Sequence, residues 1–333
     1  MARVNQSNKI RFSIVIPTFN HCDMLRQALE ALCNQNDPSV LYEIIVVDHE
    51  DATDNTADLV KAFAEKSSIP IRYLCEPRYE KHYAVNTGFK ASRGEILGLI
   101  DDDVIVDTDW VKNMVEVYDD NPRASCAGGR LTLSWINGSP PDWAKEFKGV
   151  LGEVDCGNEL TELTCPQTVI AGNFSIRKDI LLKVGGYNPC NAIGDKLVGD
   201  GESGLCMKVY NAGGSLFQVP AATGWHVQDA QRITFAHIRR KAQYQGMSDA
   251  YTTYRLTRGK PLSILKSIAR SSIHRLRKIA GILLLRHVKS WKAKFRHTLY
   301  EIEYLRGLYS YIFQIYTDRQ LRQLVIRNDW LKI

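Results

Sequence analysis

Three consecutive carboxylates, Asp101-Asp102-Asp103, follow directly on the apolar run Ile96–Ile100. Acids crowded beside a low-dielectric core repel one another. A bound divalent cation relieves that repulsion, and Mg²⁺ is commonly held by one or two carboxylates plus substrate phosphates. The plain alternative is a solvated acidic turn that caps the next helix. Two further apolar runs end on polar residues: Ile10–Pro17 gives way to Thr18-Phe19-Asn20, and Tyr42–Asp48 leads into His49-Glu50. In Gly199–Leu205 (GDGESGL), Asp200 and Glu202 stand among glycines. A carboxylate there is easily exposed in a cleft as a proton acceptor; a glycine-rich turn with both acids in solvent is the other reading.

The elements that must position these residues follow from hydrophobic patterning. Ile10–Pro17, Tyr42–Asp48, Ile71–Cys75 and Ile96–Ile100 are short, β-branched and almost wholly apolar, as strands buried on both faces are. Asn20–Asn34, Thr56–Ala64, Tyr83–Ser92 and Trp110–Tyr118 alternate with them at helical spacing. Strand and helix in alternation predict a mainly parallel sheet with helices on both faces. Such sheets bind ligands beyond the carboxyl ends of their strands, so three polar strand ends should meet at one edge. Residues 125–226 are richer in Gly and Pro and predict mixed short strands and loops. From about residue 231 the pattern is helical. Leu262, Leu265, Ile268, Leu276, Ile279 and Leu283 share one approximate spacing, and Trp291, Phe295, Leu299, Ile302, Leu305, Tyr309, Ile312 and Tyr316 another. Two or three long helices with basic outer faces are expected.

Five segments taken in order (IVIPTFN, EIIVVDHEDATDNT, AVNTGFKASRGEILGLIDDDV, AGNFSIRKDILLKVGGY and VPAATGWH) resemble the landmarks of the family 2 glycosyltransferases with the GT-A fold, over residues 11–230. The resemblance implies two regions, a GT-A nucleotide-sugar-binding and catalytic domain over 1–230 and a basic helical region over 231–333. It implies transfer of a sugar from a nucleoside-diphosphate donor to a hydroxyl of a glycan or lipid-linked acceptor, with inversion, in cell-surface polysaccharide or glycolipid synthesis. Pro17, Thr18 and Asn20 would line the nucleotide pocket, and Asp48 and His49 would meet base or ribose. Asn86 would lie near the donor. Asp101-Asp102-Asp103 looks like the family's DxD motif, with Asp101 and Asp102 at nucleotide or metal and Asp103 the main ligand of Mn²⁺ or Mg²⁺. His226 matches a late histidine that completes the metal shell. Anchoring GDGESGL on Leu205 places Glu202 where relatives carry the catalytic base, with Asp200 second.

Two departures stand out. His49 occupies a position where many relatives carry a second Asp that recognises uracil. The Gln-x-x-Arg-Trp motif of processive synthases is absent, so one sugar per encounter is expected. A sugar-nucleotide pyrophosphorylase would want a Gly-rich, basic loop after the first strand, which Phe19-Asn20-His21 is not. A GT-A-like binding or scaffold protein that has lost its chemistry is the non-enzymatic alternative. His21, His82, His237, His274, His287 and His297 lack ligand spacing and are expected on the surface or in packing. Trp135, Trp143 and Trp225 are expected in core or cleft wall. Arg78 and Lys81 meet either phosphate or solvent.

The 333 residues are 44% hydrophobic and 24% charged, which excludes a disordered or collagenous chain. Residues 1–226 hold 21 Lys and Arg against 31 Asp and Glu, whereas residues 227–333 hold 22 against 6. An acidic body with a basic tail suggests two jobs. Basic residues interleaved with Trp and Leu suit an anionic membrane surface, a solvated helix face being the alternative; nucleic acid is disfavoured because no recognition motif accompanies the charge. No cysteine pair has zinc-site spacing, and MARVNQSNKIRF lacks a signal core. A reducing cytoplasm, with the protein peripheral to its membrane, is the expected setting.

Overall fold

The computed structural model describes residues 9–36, 39–164, 172–190, 197–284 and 290–332. Cys165, Leu285 and His287, and Ala171, the first residue of the AGNFSIR landmark, lie outside them. The chain begins with β1 (Phe12–Pro17), α1 (Cys22–Cys33), β2 (Tyr42–His49), α2 (Thr56–Lys66), β3 (Ile71–Glu76), α3 (Lys81–Ala91) and β4 (Ile96–Ile100). It continues through β5 (Val104–Val106), α4 (Trp110–Asp120), β6 (Ala124–Ile136), β7 (Thr161–Leu163), β8 (Asn173–Arg177), α5 (Lys178–Val184), α6 (Gly201–Asn211) and β9 (Ser215–Asp229). One sheet runs β3-β2-β1-β4-β8-β6-β9-β5, with β7 on β9.

The β3-β2-β1-β4 half is parallel throughout. Its strands are buried on both faces because alternate side chains feed opposite layers. Phe12, Ile14 and Ile16 join α1 and α4 residues such as Leu25 and Trp110, while Val15, Ile45 and Val47 join Val85 and Phe89 of α3. The other half is mixed: β8 runs antiparallel to β4 and β6, and β6 parallel to β9. The middle section does hold the expected short strands β7 and β8, but β6 and β9 run longer than expected, to 13 and 15 residues. Their Gly, Ser and Thr content and the register shift at Gly129/Arg130 hide the strand period. Mutual pairing, not side-chain propensity, holds them. Asn173 secures this region: its amide donates to the Arg130 and Ala222 carbonyls and accepts from the Trp110 indole.

The tail forms α7 (Phe235–Thr257), α8 (Pro261–Leu284), α9 (Trp291–Thr317) and the short α10 (Arg319–Val325). Its inner residues, among them Tyr251, Tyr304, Tyr311 and Trp330, share one core with Leu197 and Val198 of the loop before α6. The apolar spacing expected to face inward turns out to mark much of the outward face. Leu262, Leu265, Leu276, Leu283, Trp291, Phe295, Ile302, Tyr309 and Tyr316 are exposed. Of those spacings Ile268 and Ile312 do face inward, and the rest of the inward face is built from other apolar residues, including Ile264, Leu308 and Ile315.

Candidate functional site

The three polar strand ends do meet at one edge, and each acid of the triplet has a partner from a different element. Asp101 pairs with the Lys81 ammonium at the start of α3. Asp102 accepts a 2.7 Å bond from the Thr18 hydroxyl and lies 3.4 Å from His21 Nδ1. Asp103 Oδ2 lies 3.3 Å from His226 Nε2, which β9 delivers opposite Val104 of β5. Each acid of the triplet thus has a nitrogen-bearing neighbour, one ammonium and two imidazoles. Burial raises the Asp102 carboxyl, more than His21 and Thr18 lower it. Burial would raise Asp103 too, but the His226 contact outweighs it and holds that carboxyl low. For Lys81, burial opposes the charge, yet Asp101, Cys190 and Glu202 together keep the ammonium above its usual range.

Among the described residues no three His, Cys, Asp or Glu side chains gather closely enough to cage an ion by themselves. The donor set nevertheless fits a cation shared with a ligand. Asp103 Oδ1 is buried without a hydrogen-bond partner, and His226 turns Nε2 toward Asp103, with the Gln228 side-chain amide 2.7 Å from that nitrogen; His226 Nδ1, also unpartnered, faces Gly152 instead. The His226 ring also lies against Gly152, where an added Cβ would come within 2.5 Å of Nδ1 at a backbone φ of +102°. Two protein ligands with the remaining positions left to phosphate oxygens is the usual Mg²⁺ arrangement. An adjoining cavity of about 540 Å³ is lined by Asn20, His21, Asp103, Asp229, Arg232 and His237 among others.

At the ends of β1 and β2 an aromatic slot forms. The His49 ring lies 4.4 Å from Tyr79 and 5.6 Å from Phe19, centroid to centroid. His49 Nδ1 accepts from the Asp51 amide, and Nε2 is buried without a partner. Asp48 sits beneath, fully buried, accepting from Tyr73 and from the His49 amide; burial raises its carboxyl. Pro17 ends β1 beside Val47. Asn20 takes a left-handed φ of 52° and its side chain accepts from the Thr53 amide, tying the two strand-end loops together.

Asn86, expected near the donor, spends both ends of its amide on the backbone N–H and C=O of Tyr187, at 2.9 Å each. It latches α3 to the loop that leads to α6. Asp200 is likewise committed: it accepts from Asn188, Thr252 and Arg255 and is buried. Glu202, two residues on, is half-exposed in the first turn of α6, where the helix dipole favours a carboxylate. One of its oxygens accepts from Tyr187 Oη at 2.9 Å, and its charge reaches Lys81. His21 and Lys81 were not assigned to the triplet by spacing, because their partners lie 81 and 20 residues away. His82 is fully buried against Trp330, while Arg78 is held by Glu76. Trp143 packs with Phe147 and Phe235; Trp225 is exposed.

Residues 13–146 match the family model described as "Glycosyl transferase family 2". A glucosyl-dolichyl phosphate glucuronosyltransferase of Haloferax volcanii is 25% identical over 210 residues, 62% of this chain and 65% of that one. An undecaprenyl-phosphate 4-deoxy-4-formamido-L-arabinose transferase of Serratia proteamaculans is 33% identical over 36% of each chain. The chain thus spans just under two thirds of the first relative and about a third of the second. Among solved structures, a mannosyltransferase from Pyrobaculum calidifontis in complex with GDP-Man and Mn²⁺ superposes with a TM-score of 0.58 at 18% identity, covering 92% of this chain and 90% of that one. The fold is the GT-A fold.

Proposed function

We propose that the chain, whose residues 13–146 match the glycosyl transferase family 2 model, is an inverting, cation-assisted member of that family moving one sugar from a nucleoside-diphosphate donor to a hydroxyl of a glycan or lipid-linked acceptor. The observation that carries this reading is Asp103 beside His226, with a buried Asp103 oxygen left without a partner, at the sheet edge where Thr18 and Lys81 hold the other two acids of the triplet. Residues 1–230 would carry the chemistry and 231–333 would brace it. The two lipid-carrier names among the relatives favour a lipid-linked acceptor in cell-surface glycan or glycolipid synthesis. No helix among the described residues is long and apolar enough to cross a membrane, so such an acceptor would be met at a bilayer surface. Reduced cysteines such as Cys22, Cys33 and Cys75 suit a reducing, cytoplasmic face.

In this mechanism the base stacks in the slot made by Phe19, His49 and Tyr79, and the buried His49 Nε2 offers it a hydrogen bond. Asp48 faces the ribose from below, with Thr18 holding Asp102 in place beside it. Asp103 and His226, with Asp101 in support, would hold Mn²⁺ or Mg²⁺, which as a Lewis acid stabilises the charge gathering on the leaving diphosphate. Lys81, freed from Asp101, adds a positive charge on the same side. Glu202 accepts the acceptor's proton at the oxygen that Tyr187 leaves free, as the acceptor oxygen attacks the face opposite the departing diphosphate. A well-placed base of this kind contributes ~10²–10⁴-fold in rate. Asp200 is not that base in this reading, because Arg255, Thr252 and Asn188 occupy it.

A panel of UDP-, GDP- and dTDP-sugars with Mn²⁺ tests the proposal, read by nucleoside-diphosphate release and by the anomeric configuration of the product. Turnover with inversion supports it. Tight nucleotide binding without turnover under any acceptor condition would make the protein a binding module instead.

A further inference from the structure

The outward faces of α8 and α9 carry apolar side chains where a helix in water would place polar ones. On α9, Trp291, Phe295, Ile302, Tyr309, Phe313 and Tyr316 recur at spacings of three, four and seven, which puts them on one side of the helix. All are exposed, Trp291 to 72% and Phe313 to 67%. At 1.5 Å per residue the stripe runs most of a helix about 40 Å long. On α8, Leu262, Leu265, Ile273, Leu276 and Leu283 form a second exposed stripe. The helices lie antiparallel, since Ser272 bonds Tyr309 at 2.7 Å and Lys294 reaches the Leu283 carbonyl at 3.2 Å. Tyr309 belongs to the α9 stripe, so the two stripes border one seam.

The charge on this face has one sign. Helix α8 contains no Asp or Glu. The two acids of α9, Glu301 and Glu303, are buried and held by Arg275 and Arg239. Lys266, Arg270 and Arg277 flank the α8 stripe and are exposed. We propose that this two-helix face lies on the anionic surface of a lipid bilayer. Its Trp, Phe, Tyr and Leu side chains enter the boundary between headgroups and acyl chains, and its Lys and Arg meet lipid phosphates. A second copy of the chain is a poor occupant, because two such faces would oppose like charges with no exposed carboxylate on either helix to pair them.

The position of the face gives the contact a use. The N-terminal half of α9 is fastened to the cleft wall, with His297 stacked on Phe147 at 4.8 Å and Arg296 paired with Glu146. That wall continues to Gly152, on which His226 rests. Docking would therefore bring the cation site to the membrane surface. In this respect the inference deepens the transfer reading and rests on it, although the docking itself stands apart.

Flotation of the full chain tests the proposal, using vesicles of phosphatidylcholine alone and of phosphatidylcholine mixed with phosphatidylglycerol. The expected result is flotation with the anionic vesicles only, lost as salt approaches about 1 M, where screening acts within ~3 Å. This salt series needs no variant. Replacing Phe295→Ser together with Phe313→Ser should lower partitioning by about tenfold or more. Lys266→Glu with Arg277→Glu should remove the preference for anionic vesicles. Equal flotation with neutral vesicles, no flotation at all, or unchanged binding by both double variants would overturn the proposal. So would a dimer in sedimentation that the Phe substitutions disperse. Absence of sugar transfer would leave flotation intact, and absence of flotation would leave donor turnover with a soluble acceptor intact, so the two readings fail separately.

Discussion

Arg255 of α7 and Asp200 at the mouth of α6 form a fully buried ion pair at 2.6 Å, which joins the C-terminal helices to the turn that presents Glu202. Thr252, one helical turn before Arg255, adds a second bond to the same carboxylate oxygen. Tyr311 of α9 works alongside: its hydroxyl accepts from the Val198 amide at 2.8 Å and donates to the Val198 carbonyl at 2.9 Å. Gly204 permits this packing, since an added Cβ would lie 1.8 Å from Asp200 Oδ1. The helical region is therefore part of the structure around Glu202. Deleting residues beyond about 260 would strip the core around Leu197 and Val198.

The two acids of GDGESGL should separate cleanly on mutation. Glu202→Gln is expected to lower kcat by ~10²–10⁴-fold with nucleotide affinity and Tm nearly unchanged. Asp200→Asn leaves the buried Arg255 without its counter-charge and should cost about 3–5 kcal/mol of stability, visible as a lowered Tm. Steady-state kinetics and calorimetry on both variants decide the assignment, and the reverse pattern would exchange the roles.

The aromatic slot makes a binding prediction. Tyr79 is 55% exposed and packs on His49, so Tyr79→Ala should leave Tm unchanged. Base stacking on an aromatic side chain is worth ~1–3 kcal/mol, so nucleotide affinity should fall by about tenfold or more. Titration calorimetry with UDP and GDP reads this directly; unchanged affinity for both would remove the slot from the nucleotide pocket.

Acid stability should report on Glu76. Burial alone would raise this carboxyl, but Arg78, Thr87 and the Arg78 amide outweigh it and bring it down to about 2. The folded value lies below the unfolded one, so the stabilisation is complete above about pH 4.5 and is lost as pH falls toward 2. Its size is roughly 3 kcal/mol at neutral pH. Denaturant titrations of Glu76→Gln should show that loss at pH 7 and a shallower decline between pH 4.5 and 2 than in the unaltered chain.

Much of this was legible in the sequence, for physical reasons. Strands β1 to β4 are buried on both faces, so they appear as apolar runs whose polar ends mark the site. The long β6 and β9 were not legible, because Gly128-Gly129 and the Ser and Thr residues conceal their period and pairing supplies the stability. Asn86 and Asp200 carry the chemistry of ligands, yet backbone and Arg255 consume them; no local pattern distinguishes a carboxylate in a cleft from one in an ion pair. His21 and Lys81 became visible as partners of the triplet only once the sheet had brought α1 and α3 to its edge. On α8 and α9 the spacing correctly marked helices but not which face is buried, since both helices carry apolar residues on two sides.

The most direct test of the account is whether diphosphate and cation bind as a unit at Asp103. Calorimetric titration of a nucleoside diphosphate, with and without Mn²⁺, should show affinity rising by about tenfold or more with the metal in the unaltered protein. In Asp103→Ala the metal should make no difference. If Asp103→Ala keeps the full Mn²⁺ effect, the triplet does not hold the cation and the proposed mechanism is wrong.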